Sequence, residues 1–318
     1  MGAYSLRAAI LSEHIYRMKK FGLIGASGFI APRHMKAIKD TGNVLVASLD
    51  PFDSVGILDS YFPRADFFTE FERFDRHIEK LRREGRGVDF ISICTPNYLH
   101  DAHIRFGLRN HADVICEKPL VLNPWNVDAL TEMEKETGNR VYCIFQLRLH
   151  PAIIALRNKI TAGTANKIHQ VNLSYITARG NWYQRSWKGD IARSGGIATN
   201  IGVHIFDMFI WIFGGVLENH VILHSPNKAA GYLLLKNAKV NWSLSIDEAD
   251  LPEKERKEGK RTYRSLTIDE ENFEFSDGFT DLHTESYKEI LAGNGFGLKD
   301  VKAAISIVHD IRNCKTAN

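Results

Sequence analysis

Apolar positions in the first 145 residues fall in short continuous runs, separated by stretches with one apolar face. Phe21 to Ile24, Val44 to Leu49, Val88 to Cys94, Asp113 to Cys116 and Val141 to Phe145 read as strands. His34 to Lys39 lies in a helix that ends before Thr41-Gly42-Asn43. Phe71, Phe74, Ile78 and Leu81 recur at intervals of 3, 4 and 3, which lines one face of a helix. Further helices are predicted from about Tyr98 to Asn110 and from Pro124 to about Lys135, the latter with Asn123 as N-cap and Pro124 at its first position. Strands alternating with helices require crossover connections, hence a parallel sheet. Strands without polar alternation require cover on both faces. Residues 18–145 are therefore expected to form a doubly wound α/β domain.

The pattern changes over residues 146–318. Pro151 to Ile160 reads as a helix and Thr199 to Phe213 as a long apolar one. Val171, Leu173 and Tyr175 alternate with polar residues, and strand-like runs follow at His220–His224, Tyr232–Leu235, Val240–Ile246 and Tyr263–Ile268. Few helices separate these runs, so the expectation is an α+β domain whose antiparallel sheet has one exposed face. Leu251 to Arg261 is a dense run of mixed charge, read as a solvated hairpin tip. Helices near Asp281–Ala292 and Lys299–Arg312 close the chain. Residues 1–17 precede the first strand and are expected to be a loosely attached extension, with Met18 as an alternative start.

At 318 residues, the chain has the length of two domains. Hydrophobic residues at 44% and charged residues at 25% exclude a disordered or collagen-like chain. A net charge of +3 gives no bulk electrostatic reason to bind nucleic acid or a membrane surface. No apolar run reaches the ~18 residues of a membrane span; Asp207 interrupts the longest candidate, Ile205 to Phe213. The four cysteines, Cys94, Cys116, Cys143 and Cys314, form no Cys-x-x-Cys pair. They read as reduced thiols of a cytoplasmic protein, with no metal site.

Four segments carry candidate chemistry. The turn after the first strand, Gly25-Ala26-Ser27-Gly28-Phe29-Ile30, leads from strand to helix, where glycines admit a pyrophosphate and the helix N-terminus favours its charge. Asp50 ends the second strand, where an acid binds the ribose hydroxyls of NAD and repels the 2′-phosphate of NADP. Read structurally, Asp50 is only a turn residue before Pro51. Thr95-Pro96-Asn97 and His100 follow the third strand, at the sheet end where ligands bind. Cys116-Glu117-Lys118-Pro119 sets an acid beside a base at the end of an apolar strand, and a desolvated lysine serves as general base. Finally, Asn200, His204 and Asp207 are spaced by 4 and 3, so a helix aligns them on one face amid apolar neighbours.

A glycine-rich turn, Thr-Pro-Asn-x-x-His at 95–100 and Glu-Lys-Pro at 117–119, in this order, resemble the Gfo/Idh/MocA oxidoreductases. Gly202-Val-His204-x-x-Asp207 matches the same family, with Asn200 where most members carry an acid. The resemblance implies an N-terminal Rossmann domain binding NAD(P) and a C-terminal α+β domain with a large open, mostly antiparallel sheet that mediates dimer or tetramer contacts. Longer blocks are similar to the branch that oxidises the 3-hydroxyl of UDP-2-acetamido-2-deoxy-glucuronate with NAD in bacterial surface-polysaccharide (O-antigen) synthesis. They include Asp50-Pro-Phe-Asp53-Ser54, Gln146-Leu-Arg148-Leu-His150, Arg179-Gly-Asn181-Trp182-Tyr183 and Trp187-Lys188-Gly189-Asp190. That likeness implies a later transamination of the 3-keto sugar by another enzyme and, in some relatives, reoxidation of NADH by 2-oxoglutarate.

The resulting expectations are specific. Gly25, Ala26, Ser27, Gly28, Phe29, Ile30, Asp50, Ser54, Thr95, Pro96, Asn97, His100, Glu117, Lys118 and Gln146 hold NAD. Lys118, Arg148, Arg179, Lys188, Asn200 and His204 hold the substrate, since a UDP-sugar uronate needs several cations. Lys118 is read as the base, with Glu117 orienting it and His204 as partner; the sequence also allows the exchanged roles. Two other readings stand beside this one. A short-chain dehydrogenase needs Tyr-x-x-x-Lys, a spacing found at Tyr232–Lys236 and Tyr16–Lys20. A non-catalytic NAD- or sugar-binding regulator of the same fold would lack Lys118 or His204, and both are present.

Overall fold

The computed structural model describes residues 18–163, 167–275 and 281–314. The proposed extension at 1–17 lies outside the described residues. In the first domain, strands β1 (Lys20–Ile24), β2 (Val44–Leu49), β3 (Asp66–Phe68), β4 (Phe90–Ile93), β5 (Asp113–Cys116) and β6 (Val141–Cys143) form one sheet in the order β3-β2-β1-β4-β5-β6. Every pairing is parallel. Their connections carry α1 (Ala31–Asp40), the short α2 (Ile57–Tyr61), α3 (Phe71–Arg83), α4 (His100–Arg109) and α5 (Pro124–Thr137). This is the doubly wound sheet expected, and all four residues of β4 are buried, as cover on both faces demands. Phe74, Ile78 and Leu81 form the buried face of α3 as their spacing predicts. Asn123 is not a side-chain cap for α5; its Oδ1 instead accepts a hydrogen bond from Arg312 at 2.6 Å.

Strand order reverses between β1 and β4, which opens a crevice at their carboxyl ends. The turns after β1 and β4 meet there. Gly25 has φ +93°, and a Cβ on it would stand 2.7 Å from the Cys94 carbonyl carbon. Only glycine allows both the backbone conformation and this approach.

The second domain begins with α6 (Pro151–Ala162) and β7 (His169–Thr177). After the one-turn helices α7 (Trp182–Arg185) and α8 (Ile191–Ser194), a π-helical turn at Ala198–Gly202 runs into α9 (Val203–Phe213). Strands β8 (Val216–His224), β9 (Lys228–Leu235) and β10 (Ala238–Ser245), the short α10 (Glu253–Lys257), β11 (Thr262–Ile268) and β12 (Glu271–Asn272) follow. Their sheet runs β12-β11-β7-β10-β9-β8. It is antiparallel except that β10 lies parallel to β7. The charged run Leu251–Arg261 is therefore not a hairpin tip. It connects β10 to β11, which lie on opposite sides of β7, and it folds locally into α10.

Alternation in β9 and β10 buries one face, including Leu233, Leu235, Val240 and Trp242. Helix α9 covers that face, with Phe206 set edge-on to Trp242 at 5.2 Å. Gly202 permits the approach, since a Cβ there would stand 2.7 Å from the Leu244 side chain. With the turns before it, the helical run Ile191–Phe213 is 23 residues long and apolar enough to cross a membrane, longer than its composition suggested. Its 72% burial identifies it as the core helix of this domain.

The last two helices are α11 (Leu282–Leu291) and α12 (Leu298–Asn313). Helix α11 returns to the first domain and packs on α1, and Tyr287 and Ile290 enter the core there. Helix α12 packs along α9 and α5.

Arg148 anchors this junction. Its guanidinium donates to both carboxylate oxygens of Asp207, at 2.8 and 2.6 Å, and to Asp300 Oδ1 at 3.2 Å. Phe296 stacks beneath it at 4.8 Å. Burial pushes the Asp207 carboxyl up to about 6 against the pull of Arg148, so the pair is ionised at neutral pH. Removing one partner strands a buried charge, at a typical cost of 3–5 kcal/mol. Asp207→Leu is therefore expected to lower stability by about 3–5 kcal/mol in urea titrations. The double change Arg148→Met with Asp207→Leu recovers part of that loss. Equal stability of Asp207→Leu and wild type would contradict this account.

Candidate active site

The nucleotide turn is built by backbone contacts. Gly25 and Ala26 donate to the Leu49 carbonyl at 2.8 and 3.2 Å, and Gly28 donates back to Gly25 at 3.1 Å. Asp50 is 5% exposed; one carboxylate oxygen accepts the Ser27 N–H and the other the Phe52 N–H, both at 2.9 Å. Both readings of Asp50 thus have a basis: it is a turn residue, and it ties the glycine turn to the end of β2. Each oxygen retains acceptor capacity for a ribose hydroxyl. Helix α1 opens after Ile30 with no side-chain cap and no acid in its first turn. Its N-terminal dipole suits a pyrophosphate. Phe29 is exposed beside this turn, and Ser54 is exposed on the loop beyond Asp50.

Across the crevice, Asn97 donates to the Ser194 carbonyl at 2.8 Å and so joins the two domains. His100 differs from expectation. It is buried, with Nδ1 2.7 Å from the Pro119 carbonyl and Nε2 2.8 Å from the Thr95 carbonyl. A neutral ring carries one N–H and donates to one of these carbonyls while its other nitrogen packs against the second, so His100 is enclosed between the two turns rather than turned toward a cofactor. Thr95 Oγ1 meets His103 Nδ1 at 3.1 Å. Gln146 Oε1 is buried with no hydrogen-bond partner among the described residues, the state of a group that meets a ligand. The cradle at Gly25, the uncapped helix and this amide together fit a dinucleotide.

Lys118 ends β5 at the domain boundary, with a cis peptide bond to Pro119. Its Nζ donates to the Asn200 carbonyl at 3.2 Å, across the cleft. Burial lowers its pKa below the ordinary lysine value; the Glu117 charge opposes this, and Lys188 and Arg179 add to it. Asn200 lies in the π-helical turn, and its side chain donates to the Tyr183 hydroxyl at 2.7 Å. Such turns often occur at functional sites. His204 follows on α9. Burial, then the charges of Lys118 and Arg264, hold its pKa well below the ordinary value, so the ring is neutral. Its Nδ1 is buried without a partner among the described residues.

Glu117 faces away from the cleft, toward His34 and His283. Lys188 lies over the Trp182 and Trp187 rings at 5.4 and 5.7 Å, and burial lowers its pKa. Arg179 is close enough to act on Lys118 and Lys188. Arg185 is exposed, and Arg193 pairs with Asp190 at 3.3 Å. Arg148, expected to hold substrate, is instead 4% exposed and consumed by Asp207 and Asp300. Asp207 correspondingly leaves the polar stripe of Asn200 and His204 and serves that ion pair.

Two site residues escaped the sequence reading. Tyr183 was passed over as one of several aromatics. Arg264 stands on β11 opposite Tyr175, with its guanidinium over the Tyr175 and Phe275 rings at 5.0 and 4.8 Å. A signal existed: it shares the inward register of Leu266 and Ile268, where a charge is costly unless used. Tyr232–Lys236 begins on β9, with Tyr232 stacked on His220 at 4.5 Å, so it is not the helical pair of a short-chain dehydrogenase.

Comparison with known proteins agrees with this geometry. Curated relatives include inositol 2-dehydrogenase of Rhizobium meliloti, 29% identical over 61% of this chain and 55% of that protein. Glucose-6-phosphate 3-dehydrogenase of Bacillus subtilis is 24% identical over 62% and 54%. The matched region thus spans about half the length of each. Among solved structures, the WlbA (WbpB) dehydrogenase from Thermus thermophilus is 50% identical with a TM-score of 0.91, covering 95% of this chain and 97% of that one. It was solved in complex with NAD and alpha-ketoglutarate, and with NAD and UDP-GlcNAcA. The WlbA dehydrogenase from Bordetella pertussis shares the fold at 18% identity and a TM-score of 0.76, covering 93% and 94%. Residues 19–145 match the oxidoreductase family's NAD-binding Rossmann fold and residues 157–249 its C-terminal alpha/beta domain, so the chain belongs to the Gfo/Idh/MocA oxidoreductase family.

Proposed function

We propose that this protein uses NAD to oxidise the 3-hydroxyl of UDP-2-acetamido-2-deoxy-D-glucuronate to the 3-keto sugar. The observation that carries the reading is Lys118: a desolvated amine beside a neutral histidine, facing a cleft ringed by cations. The half-identical Thermus thermophilus dehydrogenase, seen with NAD and UDP-GlcNAcA, supports the choice of ligands.

NAD bound across the β1 and β4 turns supplies the hydride acceptor. Lys118, in the neutral form that desolvation favours, takes the proton of the sugar hydroxyl. The ammonium that forms is stabilised by the Glu117 charge behind it. Neutral His204 hydrogen-bonds the same oxygen, and Asn200, held by Tyr183, positions the ring without titrating. Arg179, Lys188 and Arg264 meet the carboxylate and pyrophosphate. A cavity of about 310 Å³, lined by Tyr183, Lys188, Ile191 and Ile197, continues from this group. That is within the range of small-molecule sites.

A 2-oxo acid entering the same cationic cleft would accept the hydride at its keto carbon and the proton held by Lys118 at its oxygen, and so be reduced to its 2-hydroxy acid; the alpha-ketoglutarate complex of the neighbour supports this. The 3-keto product calls for a separate aminating enzyme. Exposed Leu217, Ile222 and Leu223 on edge strand β8 support a homo-oligomer built through the open sheet.

Three outcomes are expected. Lys118→Met retains NAD binding but lowers single-turnover hydride transfer by roughly 10²–10⁴-fold. In the wild type that rate rises with pH through the lowered lysine pKa, because the amine acts only when neutral. A wild-type rate in Lys118→Met would move the base to His204 or a bound water. Asp50→Ala frees the Ser27 turn, weakens NAD about tenfold or more by equilibrium titration, and relaxes discrimination against NADP. A wild type that binds NADP as well as NAD would refute that role. Turnover of the uronate is expected to exceed that of UDP-N-acetylglucosamine, and Arg264→Met to narrow the gap. Equal turnover by the wild type would end the case for carboxylate recognition.

A further inference from the structure

Behind the cleft lies a buried polar cluster of which the proposed chemistry uses only Glu117. Glu117 Oε1 lies 3.1 Å from His34 Nε2 and 2.9 Å from His283 Nε2. Its other oxygen accepts the Lys118 backbone N–H at 3.2 Å. His34 Nδ1 is 2.7 Å from the Tyr287 hydroxyl, which is 2.7 Å from Ser92 Oγ. All five residues are buried. His34 belongs to α1, the helix that opens the nucleotide turn, while His283 and Tyr287 lie four apart on α11 and so share a face.

The protons can be assigned. A carboxylate oxygen only accepts, so both Nε2 atoms carry hydrogen. His34 Nδ1 then accepts from Tyr287, and Tyr287 accepts from Ser92. The chain through His34 ends at Ser92, which has no exposure, so it leads no proton to solvent. Its atoms are of metal-binding types, but hydrogen bonds account for each contact. What remains is an electrostatic use. Burial pushes the Glu117 carboxyl up, yet the two imidazoles outweigh it and hold it well below the usual range.

Resting on the assignment of Lys118 as base, we propose that His34 and His283 are positioning residues: they clamp Glu117 in its ionised form, and through that charge they set the protonation of Lys118. The C-terminal helix α11 thereby takes part in tuning the base. The other groups acting on these two residues are few. Cys94, Cys116 and Cys143 are thiols kept neutral by burial. His100 and His204, whose pKa values burial lowers, feel the Glu117 charge. Lys188 and Arg179 face Lys118. None of these supplies a second negative charge beside the lysine.

The test reads Lys118 directly in the full-length protein without substrate or cofactor. Acetylation by limiting acetic anhydride across a pH series, followed by mass spectrometry of the Lys118 peptide, gives the protonation midpoint of its amine. Loss of the clamp lets buried Glu117 take up a proton, which removes the charge favouring the lysine's ammonium form. The double variant His34→Leu, His283→Leu is therefore expected to move the midpoint to lower pH. Glutamine at both positions, which keeps an N–H donor, restores it. Glu117→Gln, nearly isosteric, reproduces the downward shift if the leucine variant does not fold. An unmoved midpoint in either charge-removing variant overturns the proposal. So does a stoichiometric metal in the purified protein whose removal by chelator alone moves the midpoint. Because labelling needs no turnover, a shifted midpoint in a protein whose Lys118→Met variant stays active separates the failure of the dehydrogenase mechanism from the failure of the clamp.

Discussion

The constraint that organises this molecule is that one lysine amine must sit away from water at the boundary of two domains. Lys118 is held there because an apolar strand ends at Cys116, Pro119 follows the lysine, and the Asn200 carbonyl accepts a hydrogen bond from its amine on the other side. A fully hydrated lysine would hold its proton through the physiological range. Desolvation weakens that hold, which suits the amine to the base role proposed for it. The parallel sheet supplies the rigid end from which the lysine projects, and α9 supplies the lid that dries it.

Charge is divided across the cleft in a way that serves this amine. The first domain places one carboxylate, Glu117, behind it, and the second places Lys188, Arg179 and Arg264 in front. The cations would raise the cost of an ammonium, and the carboxylate limits that cost. In the proposed reaction an anionic substrate entering between them would neutralise the cations as it binds and so couple substrate charge to base strength. Asn200 keeps the front of the cleft free of a carboxylate that would repel such a substrate. The π-helical turn around it leaves its backbone carbonyl turned toward Lys118 while its side chain is engaged with Tyr183.

Much of this was legible from the chain. The first-domain strands announced themselves because burial on both faces leaves no polar residue in them, and Lys118, Asn200 and His204 stood out as polar groups embedded in apolar context. Helix α2 and strand β3 were not read, because elements of five and three residues at a half-exposed edge leave no periodicity to follow. Sequence also assigns charges without knowing their neighbours. Arg148 looked like a substrate cation because its partners lie 59 and 152 residues away. His34 and Tyr287, 253 residues apart, gave no local sign that they touch. His100 was placed in the right turn but given the wrong duty, since a buried ring between two carbonyls and an exposed one beside a cofactor have the same sequence.

The two buried acids of the junction show how one residue type serves opposite ends. Asp207 meets a guanidinium that never deprotonates, in two parallel hydrogen bonds, and their union fixes α9 against the turn that bears Arg148. Such a pair is geometrically stiff and chemically inert. Glu117 meets two imidazole Nε2–H donors, and burial holds one of them, His34, below its ordinary pKa. A salt bridge to arginine at that place would have neutralised the field felt by Lys118. The choice of partner thus decides whether a buried carboxylate locks two elements together or acts on the lysine beside it.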